Sequence, residues 1–316
     1  MKHLKIHPKH FGYIFVLPFF VVMAVFQVYP LLDTLKTSFT DENFSQLDAV
    51  PQFIGLDNYL RELGSELLQQ SLLNTLVVTA ASIVFQMTAA LLIAALLTSP
   101  DLKIRGKNVW QVLFFLPSQI SVAILALYIL YFFSLQGVIN TLFHGGNTAA
   151  YTDFFASDLS AWSFITGTTV FLSFGITAYF LVNSIRAIPK ALFEAAMIDG
   201  ASGRQVFWRI SLPNLQPILI FLIVISLILD LCMFDLPYAL YSAGGGGLTA
   251  AVGSGGGNGN TGVTLGSYVY QRSFIWDSDI GAGASVVMLM FVLIASLSLV
   301  YFRIMKKTQA EFSVVG

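Results

Sequence analysis

Long apolar runs separated by short polar stretches are the main pattern in this chain. Each of six runs comes close to the about 20 mostly apolar residues that a helix needs to cross the hydrocarbon core of a membrane. The pattern predicts six membrane-spanning helices, at about Phe11–Leu32, Leu72–Leu97, Val109–Phe133, Trp162–Asn183, Leu215–Leu236 and Gly283–Phe302. Pro18 and Pro117 are compatible with spans, since neighbouring helices can satisfy the backbone groups that a proline frees. The first run is too long for a cleaved signal peptide, so we expect it to remain as a helix.

These runs leave no room for a soluble domain of ordinary size. We expect one transmembrane domain over residues 11–304, an amino-terminal flank over 1–10 and a tail over 305–316. Composition agrees, because 56% of the residues are hydrophobic, 10% are charged and the mean hydropathy is +0.76. A soluble domain carries roughly 25% charged residues. The chain is therefore predicted to be an all-α, polytopic membrane protein.

Basic residues are distributed unevenly between the two sides of this predicted domain. Most of the 16 lie on one side: Lys2, Lys5, Lys9, Lys103, Arg105, Lys107, Arg186, Lys190, Arg204, Arg209, Arg303, Lys306 and Lys307. Only Lys36, Arg61 and Arg272 lie on the other side. Because Lys and Arg are enriched in cytoplasmic loops, we expect both termini and the loop at 186–217 to be cytoplasmic.

Several kinds of site are absent from the sequence. The net charge of -1 gives no indication of nucleic-acid binding. No G-x-x-x-x-G-K-[ST] segment is present to hold nucleotide phosphates. We interpret His3, His7 and His10 as part of the basic flank rather than a metal site, and the lone Cys232 as a packing residue. We therefore expect no catalytic residue, metal or cofactor in this chain.

The loop at 186–217 has a helical pattern of its own. Ala191–Met197 are good helix formers, and Gly200 after Asp199 can take the positive φ that ends a helix. Ser202 can cap a second helix over Gly203–Ile210. The spacing predicts a helix–turn–helix pair with an apolar face. A simple hairpin lying on the membrane surface would have the same pattern.

Three segments of this loop resemble a known signature. Glu194-Ala195-Ala196, Asp199-Gly200-Ala201 and Ile210-Ser211-Leu212-Pro213 are similar to the EAA loop of ABC importer permeases. In that family the loop forms coupling helices that dock into a groove on a separate ATPase subunit. The resemblance implies an ATPase-coupling role for Glu194, Ala195, Ala196, Asp199, Gly200, Ala201, Ile210, Leu212 and Pro213.

Other segments resemble the carbohydrate-uptake branch of these permeases. Phe53–Tyr59, in the acidic first outer loop, is similar to the family's F-x-G-L-x-N-Y element. It is either a structured loop with a capped helix or part of a landing surface for a binding protein. Asn74 and Thr75 also match, and we expect them to bond backbone or a neighbouring helix rather than substrate. The amino-terminal flank and first span look more like the maltose-type first-permease (MalF-like) branch than like its partner permease.

Asp230 lies inside the fifth apolar run. A carboxylate within a membrane is costly, so it marks a candidate functional site, expected to face the bundle interior or a water-filled cavity. It could accept hydrogen bonds from sugar hydroxyls, bond a neighbouring helix, or lie near the outer interface. Asp235 and Tyr238, at the span exit, are further candidates for the substrate pathway. The glycine-rich stretch Ala243–Gly262 departs from the family pattern and is interpreted as a mobile outer loop or one that orders when cargo is delivered.

Together, these features predict an all-α membrane protein with six transmembrane helices and a cytoplasmic coupling-helix (EAA) loop between helices 4 and 5. The resemblance implies a permease subunit of an ATP-driven sugar or oligosaccharide importer in a bacterial-type inner membrane. Its expected partners are a second permease, two ATPase subunits that hold ATP and Mg²⁺, an extracytoplasmic substrate-binding protein, membrane lipid and the sugar. The alternative is an ion-coupled secondary transporter that uses Asp230 and needs no ATPase.

Overall fold

A computed structural model describes residues 8–46, 50–99, 102, 104–145, 147, 150–152, 154, 157–242 and 263–315. This described part of the chain is mostly helical and has no strand, only the isolated bridges Thr40–Phe53 and Asn43–Asp279. The chain divides into two compact units, one of residues 1–65 and 269–293 and the other of residues 66–268 and 294–316.

The helices follow one another along the chain in three groups. The first group is α1 (Pro8–Met23), a π-helical turn (Ala24–Val28), α2 (Tyr29–Thr37), a 3-10 turn (Phe44–Gln46), α3 (Asp57–Leu63) and α4 (Glu66–Thr98). The second group is α5 (Lys107–Phe115), a 3-10 turn (Leu116–Gln119), α6 (Val122–Phe133), α7 (Val138–His144) and α8 (Asp158–Ala187). The third group is α9 (Lys190–Ile198), α10 (Gly203–Val206), a π-helical turn (Phe207–Ser211), α11 (Leu212–Asn214), α12 (Gln216–Leu231), α13 (Asp235–Ser242), α14 (Leu265–Phe274) and α15 (Ile280–Val315).

Among the described residues, five helical segments are long and apolar enough to cross a membrane: Phe15–Thr37, Glu66–Thr98, Val122–His144, Trp162–Ala187 and Ile280–Arg303. A sixth results if Gly203–Asn214 and Gln216–Leu231, which meet at 66°, form one bent span. The all-α membrane fold is therefore as predicted. The predicted second, fourth and sixth spans lie inside α4, α8 and α15.

The first span is longer than predicted, because its helix continues beyond Leu32 to Thr37. Pro30 stands in the first turn of α2, directly after the π-helical turn. In that turn the N–H of Tyr29 bonds the carbonyl of Ala24, which lets the helix continue past a residue that has no N–H to donate. The apolar side chains of this first span are exposed, and the exposed fraction of Phe15 is 82%.

The third span was predicted as one helix over Val109–Phe133, and this is wrong. α5 ends at Phe115, a 3-10 turn follows, and Ile120 and Ser121 are extended before α6 begins. Pro117 explains the break, because its ring removes a backbone donor and clashes with the carbonyl four residues earlier. The segment continues instead through α6 and α7, giving the apolar span Val122–His144.

The fifth span was predicted to run from Leu215 to Leu236, but α12 ends at Leu231. Pro237 cannot donate to the carbonyl of Met233, so a helix cannot continue through this point without strain. That carbonyl instead accepts a 3.1 Å hydrogen bond from Thr264 Oγ1. A side chain at Gly266 would also come within 2.6 Å of the same oxygen, so only glycine permits this close approach.

The second unit is built on α4 and α8, which make its most extensive contact, and α12 packs against both. Buried apolar side chains from the three helices and Leu215 form one cluster: Met87, Ala90, Ala94, Leu97, Ala178, Leu181, Val182, Ile185, Leu215 and Leu222. Small residues in this list let the helix backbones approach closely, which drives helix association in lipid. Gly175 of α8 serves the same purpose, since a Cβ there would collide with the carbonyl of Phe114.

Candidate functional site

The loop between α8 and α12 contains the predicted pair of helices, α9 and the α10–α11 segment. Ile188 and Pro189 are extended and separate α9 from α8, as expected for a residue that precedes proline. α9 then ends in a left-handed turn, with Gly200 at φ +73°. The N–H of Gly200 bonds the carbonyl of Met197, and the N–H of Ala201 bonds that of Ala196. This pair of bonds is a Schellman cap, which explains why Gly200 is needed.

The second helix of the pair begins with a reciprocal cap. Ser202 Oγ accepts from the N–H of Gln205, and Gln205 Oε1 accepts from the N–H of Ser202 at 2.8 Å. The predicted cap at Ser202 is therefore confirmed, with Gln205 as a partner that the sequence interpretation did not name. Both caps are local, so the end of α9 and the start of α10 are defined by bonds within residues 196–205.

One side of the loop is anchored to the membrane helices. Phe193 of α9 and Phe207 of the π-helical turn pack against the apolar cluster, and Leu215 belongs to it with no exposed surface. The loop is therefore packed directly onto the cluster that α4, α8 and α12 share.

The other side of the loop carries most of the candidate coupling residues. Those that are exposed are Glu194, Ala195, Asp199, Gly200 and Pro213, and those that are half-buried are Ala196, Ala201, Ile210 and Leu212. In the described part of the chain Glu194 forms no ion pair. Ile198 and Trp208, which the sequence interpretation missed, are 86% and 59% exposed. The sequence could have identified them, because both are large apolar residues that lie outside the apolar face of the predicted helix pair.

Asp230 is buried in α12, with 6% of its surface exposed, as predicted for a carboxylate facing the bundle interior. One turn earlier, Ser226 Oγ accepts a 3.2 Å hydrogen bond from Gln86 Nε2, which also donates to Thr177 Oγ1 at 2.6 Å. Leu97, near the C-terminal end of α4, and Leu215, just before α12, belong to the same apolar cluster. α4 and α12 are therefore antiparallel, and Ser82 lies near the level of Asp230. Ser82 Oγ and Asp230 Oδ2 have no hydrogen-bond partner among the described residues.

Asp235 and Tyr238 occupy a different setting. Asp235 is exposed and begins α13, while the ring of Tyr238 stacks on Phe234 with centroids 5.0 Å apart. Asp230 and Asp235 therefore have different surroundings, although both were predicted as candidates for the substrate pathway. The stretch Ala243–Gly262 lies outside the described residues, as do His3 and His7. Among the described residues there is no group of three or more His, Cys, Asp or Glu side chains that could hold a metal.

Asn74 and Thr75 bind the backbone of the segment that leads into α14. Asn74 Nδ2 donates to the carbonyl of Val263 at 3.0 Å, and Thr75 Oγ1 accepts from the N–H of Leu265 at 2.9 Å. Both side chains are 1% exposed. The prediction that they bond backbone or a neighbouring helix is confirmed.

In the first unit, the F-x-G-L-x-N-Y element is a structured loop that leads into α3. Asn58, 1% exposed, donates to the carbonyls of Ser38 and Thr40, and the hydroxyl of Tyr59 lies 2.7 Å from Ser38 Oγ. α3 has no side-chain cap, because Leu56 stands at its N-cap, so that detail of the prediction is wrong. The landing-surface interpretation of this loop stays a prediction.

Comparison with known proteins decides the family. Residues 90–309 match the binding-protein-dependent transport system inner membrane component family. The chain belongs to this family. The trehalose/maltose transport system permease protein MalF of Thermococcus litoralis is 28% identical over 306 residues, which cover 95% of each chain. The probable ABC transporter permease protein YesP of Bacillus subtilis is 30% identical over 299 residues, 92% of this chain and 89% of its own.

A solved structure supports the fold as well. A chain of a bacterial ABC transporter involved in the import of the acidic polysaccharide alginate superposes with a TM-score of 0.75 at 20% identity, covering 93% of this chain and 94% of its own. The identification as a permease subunit is confirmed, and the protein is a multi-pass inner membrane component of a transport system.

Proposed function

We propose that this chain is one of two permease subunits of an ATP-driven importer for a sugar or oligosaccharide. Membership of the family supports a transport role, and relatives named for trehalose/maltose and for lactose support a carbohydrate cargo. The observation that carries the coupling role is the doubly capped loop, rigid in itself and anchored by Phe193 and Phe207 to the spanning helices.

In this proposal the second permease completes the translocation pathway, and an extracytoplasmic binding protein delivers the cargo. Two ATPase subunits bind ATP and Mg²⁺ on the cytoplasmic side, where both termini of this chain also lie. This chain supplies no catalytic residue. Closure of the ATPase pair moves the docked loops together, and the packing of Leu215 carries that movement into α4, α8 and α12.

The exposed side of the loop would form the docking surface. Ile198 and Trp208 provide apolar area of the kind enriched at the centre of interfaces, and Glu194 provides a charge beside it. Glu194, Ala195 and Ala196 contact the ATPase, whereas Gly200 and Ala201 form the turn. Ile210, Leu212 and Pro213 fix the return to α12.

Uptake into vesicles tests the coupling role directly. Vesicles would contain this chain, a partner permease and the ATPase, and ATP-driven uptake would be compared between the wild type and Glu194→Lys. Loss of a charged contact in a packed interface costs about 2 kcal/mol or more, so ATPase binding and uptake should fall together by at least about 10-fold. Glu66→Lys, an exposed acidic residue at the start of α4, is the matched charge reversal and should leave uptake unchanged. Uptake driven by an ion gradient without the ATPase, and indifferent to Glu194, would favour the secondary transporter instead.

Asp230 is the stronger candidate for contact with cargo in the membrane. Its buried position and unpartnered Oδ2 suit an acceptor for sugar hydroxyls, whereas Asp235 is exposed and Tyr238 stacks on Phe234. A hydrogen bond to a charged group contributes about 1.5–3 kcal/mol, so Asp230→Asn should weaken uptake by about 10-fold or more at low substrate. Asp235→Asn is the control. Equal losses in both variants would remove the distinction between the two carboxylates.

A further inference from the structure

A cavity of about 370 Å³ lies between the loop and the ends of α4 and α8. Its walls are of two kinds. Three basic side chains, Lys107, Arg186 and Lys190, line it together with apolar side chains such as Leu97 and Phe193. It is therefore a pocket whose lining combines basic and apolar side chains.

The three cations have no ion-pair partner in the described part of the chain. No carboxylate of the described residues lines the cavity, and none of the ion pairs among those residues includes the three cations. Among the described residues, Lys107 Nζ donates to the carbonyl of Ser99 at 3.3 Å, and Arg186 Nη2 donates to Asn108 Oδ1 at 3.4 Å. Like charges held around one cavity repel each other, so an anion between them would relieve that repulsion.

The position of the cavity identifies the anion. α4 ends at Thr98 and α8 at Ala187, so the cavity lies where two spanning helices leave the membrane. On the cytoplasmic orientation of the proposed function, on which this inference rests, its basic groups lie at the depth of lipid headgroups. Basic pockets between spanning helices on this side bind anionic lipid headgroups, and the inner leaflet is anionic.

We propose that this cavity binds one anionic phospholipid of the cytoplasmic leaflet. Lys107, Arg186 and Lys190 hold its phosphate, and an acyl chain lies against Leu97 and Phe193. A free phosphate would make no contact with the apolar side chains that line the cavity. The lipid would join α9 to the ends of the spanning helices, and so stabilise the loop against the bundle.

The ATPase has a separate surface available. Lys190, Phe193 and Met197 of α9 share one face, with spacing i, i+3 and i+7, and all three line the cavity. Ala195 and Ile198 lie outside that face, and Ile198 is 86% exposed. Lipid and ATPase can therefore occupy the loop at the same time.

Lipid binding to the full chain tests the proposal without requiring transport. Native mass spectrometry would measure the affinity of the detergent-solubilised chain for phosphatidylglycerol, with phosphatidylcholine and soluble glycerol phosphate as separate arms. Replacing Lys107, Arg186 and Lys190 together by Gln should weaken phosphatidylglycerol binding by roughly 100-fold, since each basic residue near an anionic headgroup contributes about fivefold. The control replaces Arg105, Arg204 and Arg209, three exposed basic residues outside the cavity, and should change binding by less than about threefold.

Several outcomes would overturn the proposal. Equal losses in the two triple variants would mean general attraction to charge, and binding of glycerol phosphate as tight as that of the lipid would remove the role of the apolar walls. Displacement of the lipid when the ATPase assembles would assign the cavity to the protein partner. If lipid binds as expected but Glu194→Lys leaves uptake intact, the proposed function fails and the lipid site stands.

Discussion

The core formed by α4, α8 and α12 has two halves that are held together differently. The apolar half, next to the loop, is the cluster that contains Ala90, Leu181 and Leu215, all without exposed surface. The polar half, at the other end, contains Thr79, Ser82, Gln86, Thr177, Ser226 and Asp230, all at least nine-tenths buried. On α4 the change from one to the other falls between Gln86 and Met87.

This difference separates the tasks that a permease must perform. Close packing of small and branched side chains makes the apolar half stiff, so a displacement of the loop is transmitted rather than absorbed. The polar half keeps oxygen atoms of Thr79, Ser82 and Asp230 without partners among the described residues. Unpartnered buried polar groups are costly and mark functional positions in membrane proteins. We infer that the apolar half, near the loop, is the stiff part of the core, and that the polar half contains the groups available to bind a ligand.

The largest stability effect is expected in the apolar half. Leu181→Ala should lower the free energy of unfolding by about 2–3 kcal/mol, in the lower part of the range for Leu→Ala changes in protein cores. In a membrane the variant loses packing contacts, but no free energy of transfer from water, because lipid is as apolar as the leucine side chain. Leu92→Ala is the matched control on α4, where Leu92 is 61% exposed, and should cost less than about 0.5 kcal/mol. Denaturant titration of the detergent-solubilised chain measures both. Equal costs at the two positions would contradict the stiff-half interpretation.

A smaller effect is expected at the turn of the loop. Gly200 has φ +73°, and a Cβ there would meet nothing within 4 Å, so only backbone strain penalises a side chain. Gly200→Val should cost about 1–2 kcal/mol locally, fray the end of α9 and reduce ATP-driven uptake, while thermal stability of the spanning helices is unchanged. Gly200→Asn, which tolerates this conformation, should keep most of the uptake. Uptake by the valine variant equal to that of the wild type would show that the turn plays no part in coupling.

The loop could be predicted from the sequence because its determinants are local. Gly200 ends one helix and Ser202 caps the next through groups no more than five residues away. The breaks near Pro117 and Met233 each involve a proline, Pro117 or Pro237, but contacts with distant residues also hold them. Phe114 packs against Gly175, and Met233 accepts from Thr264, 31 residues along the chain. Apolar content alone extends a predicted span through both places.

In the candidate substrate site, too, local features could be predicted from the sequence and long-range contacts could not. The burial of Asp230 followed from its place in an apolar run, because a carboxylate is too costly to expose to lipid. Its surroundings did not, since they depend on which residues of α4 and α8 lie opposite. Gln86 bonds Thr177 and Ser226, which are 91 and 140 residues away. No local pattern identifies such partners.

The smallest effect is expected from the hydrogen bonds of the polar half. Gln86→Leu removes two bonds between helices, each contributing about 0.6 kcal/mol in a membrane, so the free energy of unfolding should fall by about 1 kcal/mol. Thr88→Val is the control, because the exposed Thr88 donates to the carbonyl of Val84 within its own helix and makes no bond between helices among the described residues. Combining Gln86→Leu with Thr177→Val isolates the bond between them, and a coupling energy near zero would mean that it contributes nothing. A loss as large as that of Leu181→Ala would show that the polar half is as rigidly held as the apolar half, and the division of tasks between them would then fail.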